Sequence, residues 1–191
     1  MKQRGMSVKR ILALSLILSA ALAAGWADGG GGFFYGLQTA EYPFLKDYPI
    51  RNNSLGLMYT GGYGYGVSGH EIHGGFGVGL SDFQSETGIA GGYGGVIHGA
   101  RGKVGPLNLM ITSWTGIGGL RFSQAQTGES LSYLIVTEEI DLEIGLAVLP
   151  WFMPVFYAGY QVMGNVAPGQ PFQDFFSYTP VIGVRFAFGK F

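Results

Sequence analysis

From Leu55 to Val67 the chain reads LGLMYTGGYGYGV, with large residues at the odd positions and mostly glycine at the even ones. A period of two is the pattern of an extended strand, because successive side chains point to opposite faces. Glycine inside a strand loses packing and backbone order, so a whole glycine face needs a structural reason. The alternation recurs along the chain. Phe33, Tyr35 and Leu37 oppose Phe34, Gly36 and Gln38, and Ile72, Phe76, Val78 and Leu80 oppose His73, Gly75, Gly77, Gly79 and Ser81. In the stretch EIDLEIGLAV, Ile140, Leu142, Ile144, Leu146 and Val148 oppose Glu139, Asp141, Glu143, Gly145 and Ala147. Near the end, Ile182, Val184, Phe186 and Phe188 oppose Gly183, Arg185, Ala187 and Gly189.

Together with a glycine-dominated stretch at 87–100, an apolar one at 106–122 and another at 152–163, these segments predict about eight strands and no helix. The expected bounds are 31–39, 55–67, 72–81, 87–100, 106–122, 132–148, 152–163 and 179–190. The intervals at 40–54, 123–131 and 164–178 are long, whereas those at 68–71, 82–86, 101–105 and 149–151 are short. Apart from 82–86, long and short connections alternate, as they do in an up-and-down barrel with tight turns at one end and longer loops at the other.

Composition says which solvent such strands meet. Glycine accounts for 35 of 191 residues and charged residues for 12%, where average usage is about 7% and about 25%. A soluble surface normally carries many mixed charges. Beyond the N-terminus no run of about 20 apolar residues offers a helical membrane anchor.

The N-terminus has its own pattern. Lys2, Arg4, Lys9 and Arg10 precede the apolar run from Ile11 to Ala24, and small residues offer cleavage points after Ala23 or Ala27. This is the layout of a secretory signal peptide, so residues 1–27 are read as an export signal and residues 28–191 as the folded domain. The remainder holds seven Lys and Arg against twelve Asp and Glu, a formal charge of −5. That balance argues against nucleic-acid binding, which uses a basic stripe. With no cysteine in the chain, neither disulfides nor thiolate chemistry is available.

The expected fold is therefore all-β, an antiparallel up-and-down β-barrel of about eight strands. The interior of such a barrel is just wide enough to be filled by side chains. If the bulky faces, including the odd positions of 55–67, point outward into lipid, the glycine faces line the lumen and help the strands coil. The alternative is a secreted or periplasmic soluble β-sandwich or barrel that turns its bulky face inward and binds an apolar ligand. The two differ in whether Ile140, Leu142, Ile144, Val184, Phe186 and Phe188 touch lipid or core.

The C-terminal segment GVRFAFGKF, ending at Phe191, resembles the last strand of small bacterial outer-membrane β-barrel proteins. The export signal, the length of the domain, and the aromatics Trp151, Phe152, Phe156, Tyr157 and Tyr160 near strand ends add to the resemblance. It implies residence in the outer membrane, contact with outer-membrane lipid, and recognition of the C-terminal strand by the barrel-insertion machinery. The aromatics would then form an interfacial girdle.

Few residues offer chemistry. Glu139, Asp141 and Glu143 share one strand face. They are expected to pair inside the lumen with Arg121 and Arg185, since buried charge without partners costs several kcal/mol per ion. A calcium site or an acid–base pair is the competing reading. His73 and His98 are weak metal candidates, expected to meet across adjacent strands facing the lumen, while His70 and His73 fall on opposite faces. The glycine runs at 29–32 and 91–95 lack the following helix of a phosphate-binding loop. Gly66-Val67-Ser68-Gly69-His70 departs from a nucleophile elbow at its last position. No cofactor and no enzymatic activity are therefore expected. The aromatic segment 41–50 suits contact with a surface partner or packing over the barrel mouth.

Overall fold

The computed structural model describes residues 28–41, 54–82, 87–124, 130–166 and 176–191. Eight strands run β1 (Asp28–Glu41), β2 (Ser54–Ser68), β3 (Glu71–Asp82), β4 (Thr87–Val104), β5 (Leu107–Gln124), β6 (Ser130–Leu146), β7 (Phe152–Val166) and β8 (Phe176–Lys190). Each pairs antiparallel with its sequence neighbours, and β1 closes on β8. Closure removes the unpaired edges that an open sheet would expose. The signal-peptide reading of residues 1–27 and most of the segment 41–50 lie outside the described residues.

The tight connections gather at one end. Gly69 (φ 63°) and Gly105 (φ 60°) take the left-handed backbone that glycine adopts without strain, and they turn β2 into β3 and β4 into β5. Asp28 and Phe191 lie at the same end, because Asp28 stands opposite Val67 and Gly29 opposite Lys190. The connections 42–53, 83–86, 125–129 and 167–175 all leave from the other end, so the short third interval fits the alternation after all.

The orientation of the faces splits the barrel into two sectors. In β5 to β8 and β1 the outer face is bulky and apolar, with Leu37, Ile111, Ile117, Ile140, Leu142, Ile144, Phe156 and Ile182 exposed, while Phe34, Leu120, Phe122, Ile135 and Val155 of the same strands point inward. In β2, β3 and β4 the expected sense is reversed. Leu57, Tyr59 and Val67 are buried in the lumen, as are Ile72, Val78 and Leu80, while Gly62, Gly77 and Gly79 are exposed on the outer wall. The reason is volume. Strands β1 and β6 to β8 send Gly36, Gly145, Gly159 and Gly183 inward, and a second glycine-lined half would leave a void. The tyrosines and aliphatic residues of β2 to β4 fill that space.

Inward glycines in the other sector receive these rings. A Cβ on Gly36 would collide with the Tyr59 ring and the Tyr157 hydroxyl, and one on Gly116 would meet the rings of Phe76 and Tyr93. The glycine content therefore has two roles, slots inside and bare backbone outside.

Candidate functional site: the charged centre of the lumen

Strand register places the lumen contents in three layers. Toward the loop end lie Leu57, Leu80, Ile89, Leu120, Phe122 and Ile135, and toward the turn end Val67, Ile72, Ile97, Met110, Met153 and Val155. Between these apolar layers sits the guanidinium of Arg185 from β8, with only 2% of the residue exposed.

Its partners come from one face of β6. Arg185 is ion-paired with Asp141 and Glu143, and its Nη2 lies 3.7 Å from Glu139 Oε1. The spacing of two along a strand is what brings all three carboxylates to one face. Two aromatic rings flank the guanidinium, Trp114 at 4.0 Å and Tyr157 at 3.9 Å from Cζ to ring centroid. A desolvated guanidinium gains from the ring quadrupole and stacks as a plane, which an ammonium cannot do.

The acids have further donors. The Thr112 hydroxyl donates to Glu143, and Trp114 Nε1–H donates to Thr112 Oγ1 at 2.9 Å. The Gln161 amide donates to Glu139 at 2.8 Å and to the Tyr93 hydroxyl at 2.8 Å, while the Tyr157 hydroxyl donates to Tyr59 at 2.8 Å. The network ties β2, β4, β5, β6, β7 and β8 together across the barrel axis. Trp114 also packs on Phe34, Tyr63 and Phe76, with ring centroids 5.7, 5.7 and 4.9 Å away. Among the described residues, the cavity beside this cluster is water-sized and lies between Tyr65, Met110, Trp114 and Glu143. No volume remains there for the apolar ligand of the soluble alternative.

Arg121 is not part of the centre. It faces outward near the loop end of β5 and donates to the Ser130 hydroxyl at 3.2 Å. At that rim a long basic side chain reaches water while its stem lies along the wall. A second cation, missed in the sequence reading, stands at the turn-end mouth: Arg101 on β4 pairs with Asp28 on β1 at 2.9 Å. Tyr157, expected in an interfacial girdle, is a lumen residue buried beside Arg185.

The histidines meet on the opposite side of the wall from that expected. His73 and His98 are cross-strand partners facing outward, with their Nδ1 atoms 3.2 Å apart. Val184, Phe186 and Phe188 also face outward, and at the turn end Phe186 and Phe188 pack with Phe33, Phe152 and Trp151 in an external aromatic cluster. Phe191, by contrast, packs against the lumen core.

A lumen that buries charge behind an outer wall of Ile, Leu and Phe inverts the arrangement of a soluble barrel. Lipid is the solvent that such a wall fits. Fold and surface together define the class, the small transmembrane β-barrel of bacterial outer membranes. No protein-family model and no curated protein matches the sequence. Among solved structures, the chain is similar to the crystal structure of Neisserial surface protein A, with a TM-score of 0.63 at 10% identity over 82% of this chain and 95% of that one. It also matches Ail, the attachment invasion locus protein of Yersinia pestis, with a TM-score of 0.46 at 14% identity over 85% of this chain and 99% of that one.

Proposed function

We propose that this chain is an outer-membrane barrel with a closed lumen, serving a structural or adhesive role at the cell surface and no enzymatic one. In this reading residues 1–27 direct export, and the C-terminal segment made of β8 and the Phe191 that follows it is what the insertion machinery recognises. The apolar wall of Ile140, Leu142, Ile144, Phe156 and Ile182 contacts lipid. The observation that carries the closed state is Arg185, whose ion pairs and ring contacts span the barrel axis. Opening a path there would strip a buried guanidinium of its partners, at a cost of several kcal/mol. Any permeability is therefore minor, and the surface role falls to the segments at the loop end. The test is planar-bilayer recording with the purified barrel. Absence of steady conductance is expected, and a stable open pore would contradict the closed lumen.

A further inference from the structure

We infer that His73 and His98 form a chelating pair for a divalent cation of the zinc, copper and nickel class on the outer wall, at the turn end of the barrel. The two residues stand directly opposite each other on β3 and β4, and both face outward. Their Nδ1 atoms are 3.2 Å apart, with the rings at 80° to one another. Two imidazole nitrogens each bound at about 2.0–2.1 Å to one ion are separated by roughly 3 Å, so the spacing already suits a shared metal. Imidazole is the ligand that these borderline ions favour over Mg²⁺ or Ca²⁺.

The proton arrangement supports the same reading. Glu71 Oε2 lies 3.4 Å from His73 Nε2. A carboxylate there keeps the proton on Nε2 and leaves the Nδ1 lone pair directed at His98, the orientation a carboxylate imposes on a metal-bound histidine. Without metal, His98 Nδ1–H donates to His73 Nδ1. When a divalent ion binds, His98 gives up its Nδ1 proton and takes one from water at Nε2, so that both neutral imidazoles offer their Nδ1 lone pairs to the ion; no net proton is released and nothing is oxidised or reduced.

The surroundings leave room. Gly66, beside His73 on β2, has no side chain, and Ser113 is the small neighbour of His98 on β5. Among the described residues, no set of three His, Cys, Asp or Glu side chains converges on a metal position. The protein therefore supplies two ligands and water completes the shell. Such a site is exchangeable, and it clasps β3 to β4 where their outer faces are otherwise largely glycine.

The test uses the untagged barrel purified in detergent micelles and titrated with Cu²⁺ or Zn²⁺ alone. One metal per chain is expected, with two nitrogen ligands in the Cu²⁺ electron paramagnetic resonance spectrum and a raised thermal unfolding midpoint. His73→Gln and His98→Gln should each weaken binding by about 100-fold and Glu71→Ala by about tenfold, while His70→Gln should change nothing. Each variant is first shown to keep its folded electrophoretic mobility. The wild-type spectrum stands without any variant: no stoichiometric binding, or an oxygen-only or single-nitrogen signal, overturns the proposal. So does binding that survives the His73→Gln, His98→Gln double variant.

Discussion

Arg185 and Trp114 stack at the centre of the barrel, with the guanidinium carbon 4.0 Å from the indole centroid. The arginine comes from β8 and the tryptophan from β5, so the pair bridges the barrel from wall to wall. The rest of the lumen network attaches to one of these two residues or to the acids of β6, with Tyr59 joined through Tyr157 and Tyr93 through Gln161.

Arg185→Leu should therefore be the most damaging single change in the lumen. It leaves Glu139, Asp141 and Glu143 buried without their cation, a loss of about 3–5 kcal/mol. Arg185→Lys should fall between, since it keeps the charge but loses the planar stacking and the paired donors. Denaturant unfolding of the barrel in lipid vesicles, followed by tryptophan fluorescence, gives the ranking.

Glu143→Leu should cost less, about 1–3 kcal/mol. Arg185 still has Asp141 and Glu139, but the Thr112 hydroxyl loses its acceptor. An unfolding midpoint equal to that of the native chain would remove Glu143 from the network.

Gly36→Ala tests the slots. The added methyl would collide with Tyr59 and the Tyr157 hydroxyl, so a destabilisation of about 1–3 kcal/mol is expected from overpacking. Tyr157→Phe removes one colliding atom and should recover part of the loss in a double-mutant cycle. Gly56→Ala, with nothing within 4 Å of the new Cβ, is the neutral control.

Much of the barrel was legible in the sequence, because alternation reports extended backbone whatever surrounds it. The acid–arginine centre was legible for the same reason, since Glu139, Asp141, Glu143 and Arg185 hold one parity on alternating strands. Alternation does not give the sign of a face. In β2 both readings satisfy the period, and the choice depends on how much volume the far wall supplies, which is a property of the closed barrel. Arg121 was misplaced because 106–122 is apolar on both faces, so its parity carried no signal. One clue was available. The Gly105–Pro106 turn sets Val104 opposite Leu107, which links the parity of β5 to that of β4, and an inward Tyr93 then fixes Trp114 as inward. The roles of Tyr157 and Gln161 had no sequence signal, because they depend on partners three strands away around the closed barrel, Tyr59 and Tyr93, or on a neighbouring carboxylate.

Leu142→Arg separates lipid from water as the outer solvent. Leu142 is 66% exposed, and on a soluble surface such a change stays within about ±0.5 kcal/mol. On a lipid-facing wall it should cost about 2–4 kcal/mol near the bilayer midplane, read from unfolding in vesicles.

The most direct test of the closed, lipid-facing barrel is to fractionate cells expressing the full chain and compare boiled with unboiled membrane samples by electrophoresis. Recovery in the outer membrane, with a mobility that shifts on boiling, is the result this account predicts. Recovery as a soluble periplasmic protein with a single mobility would contradict it.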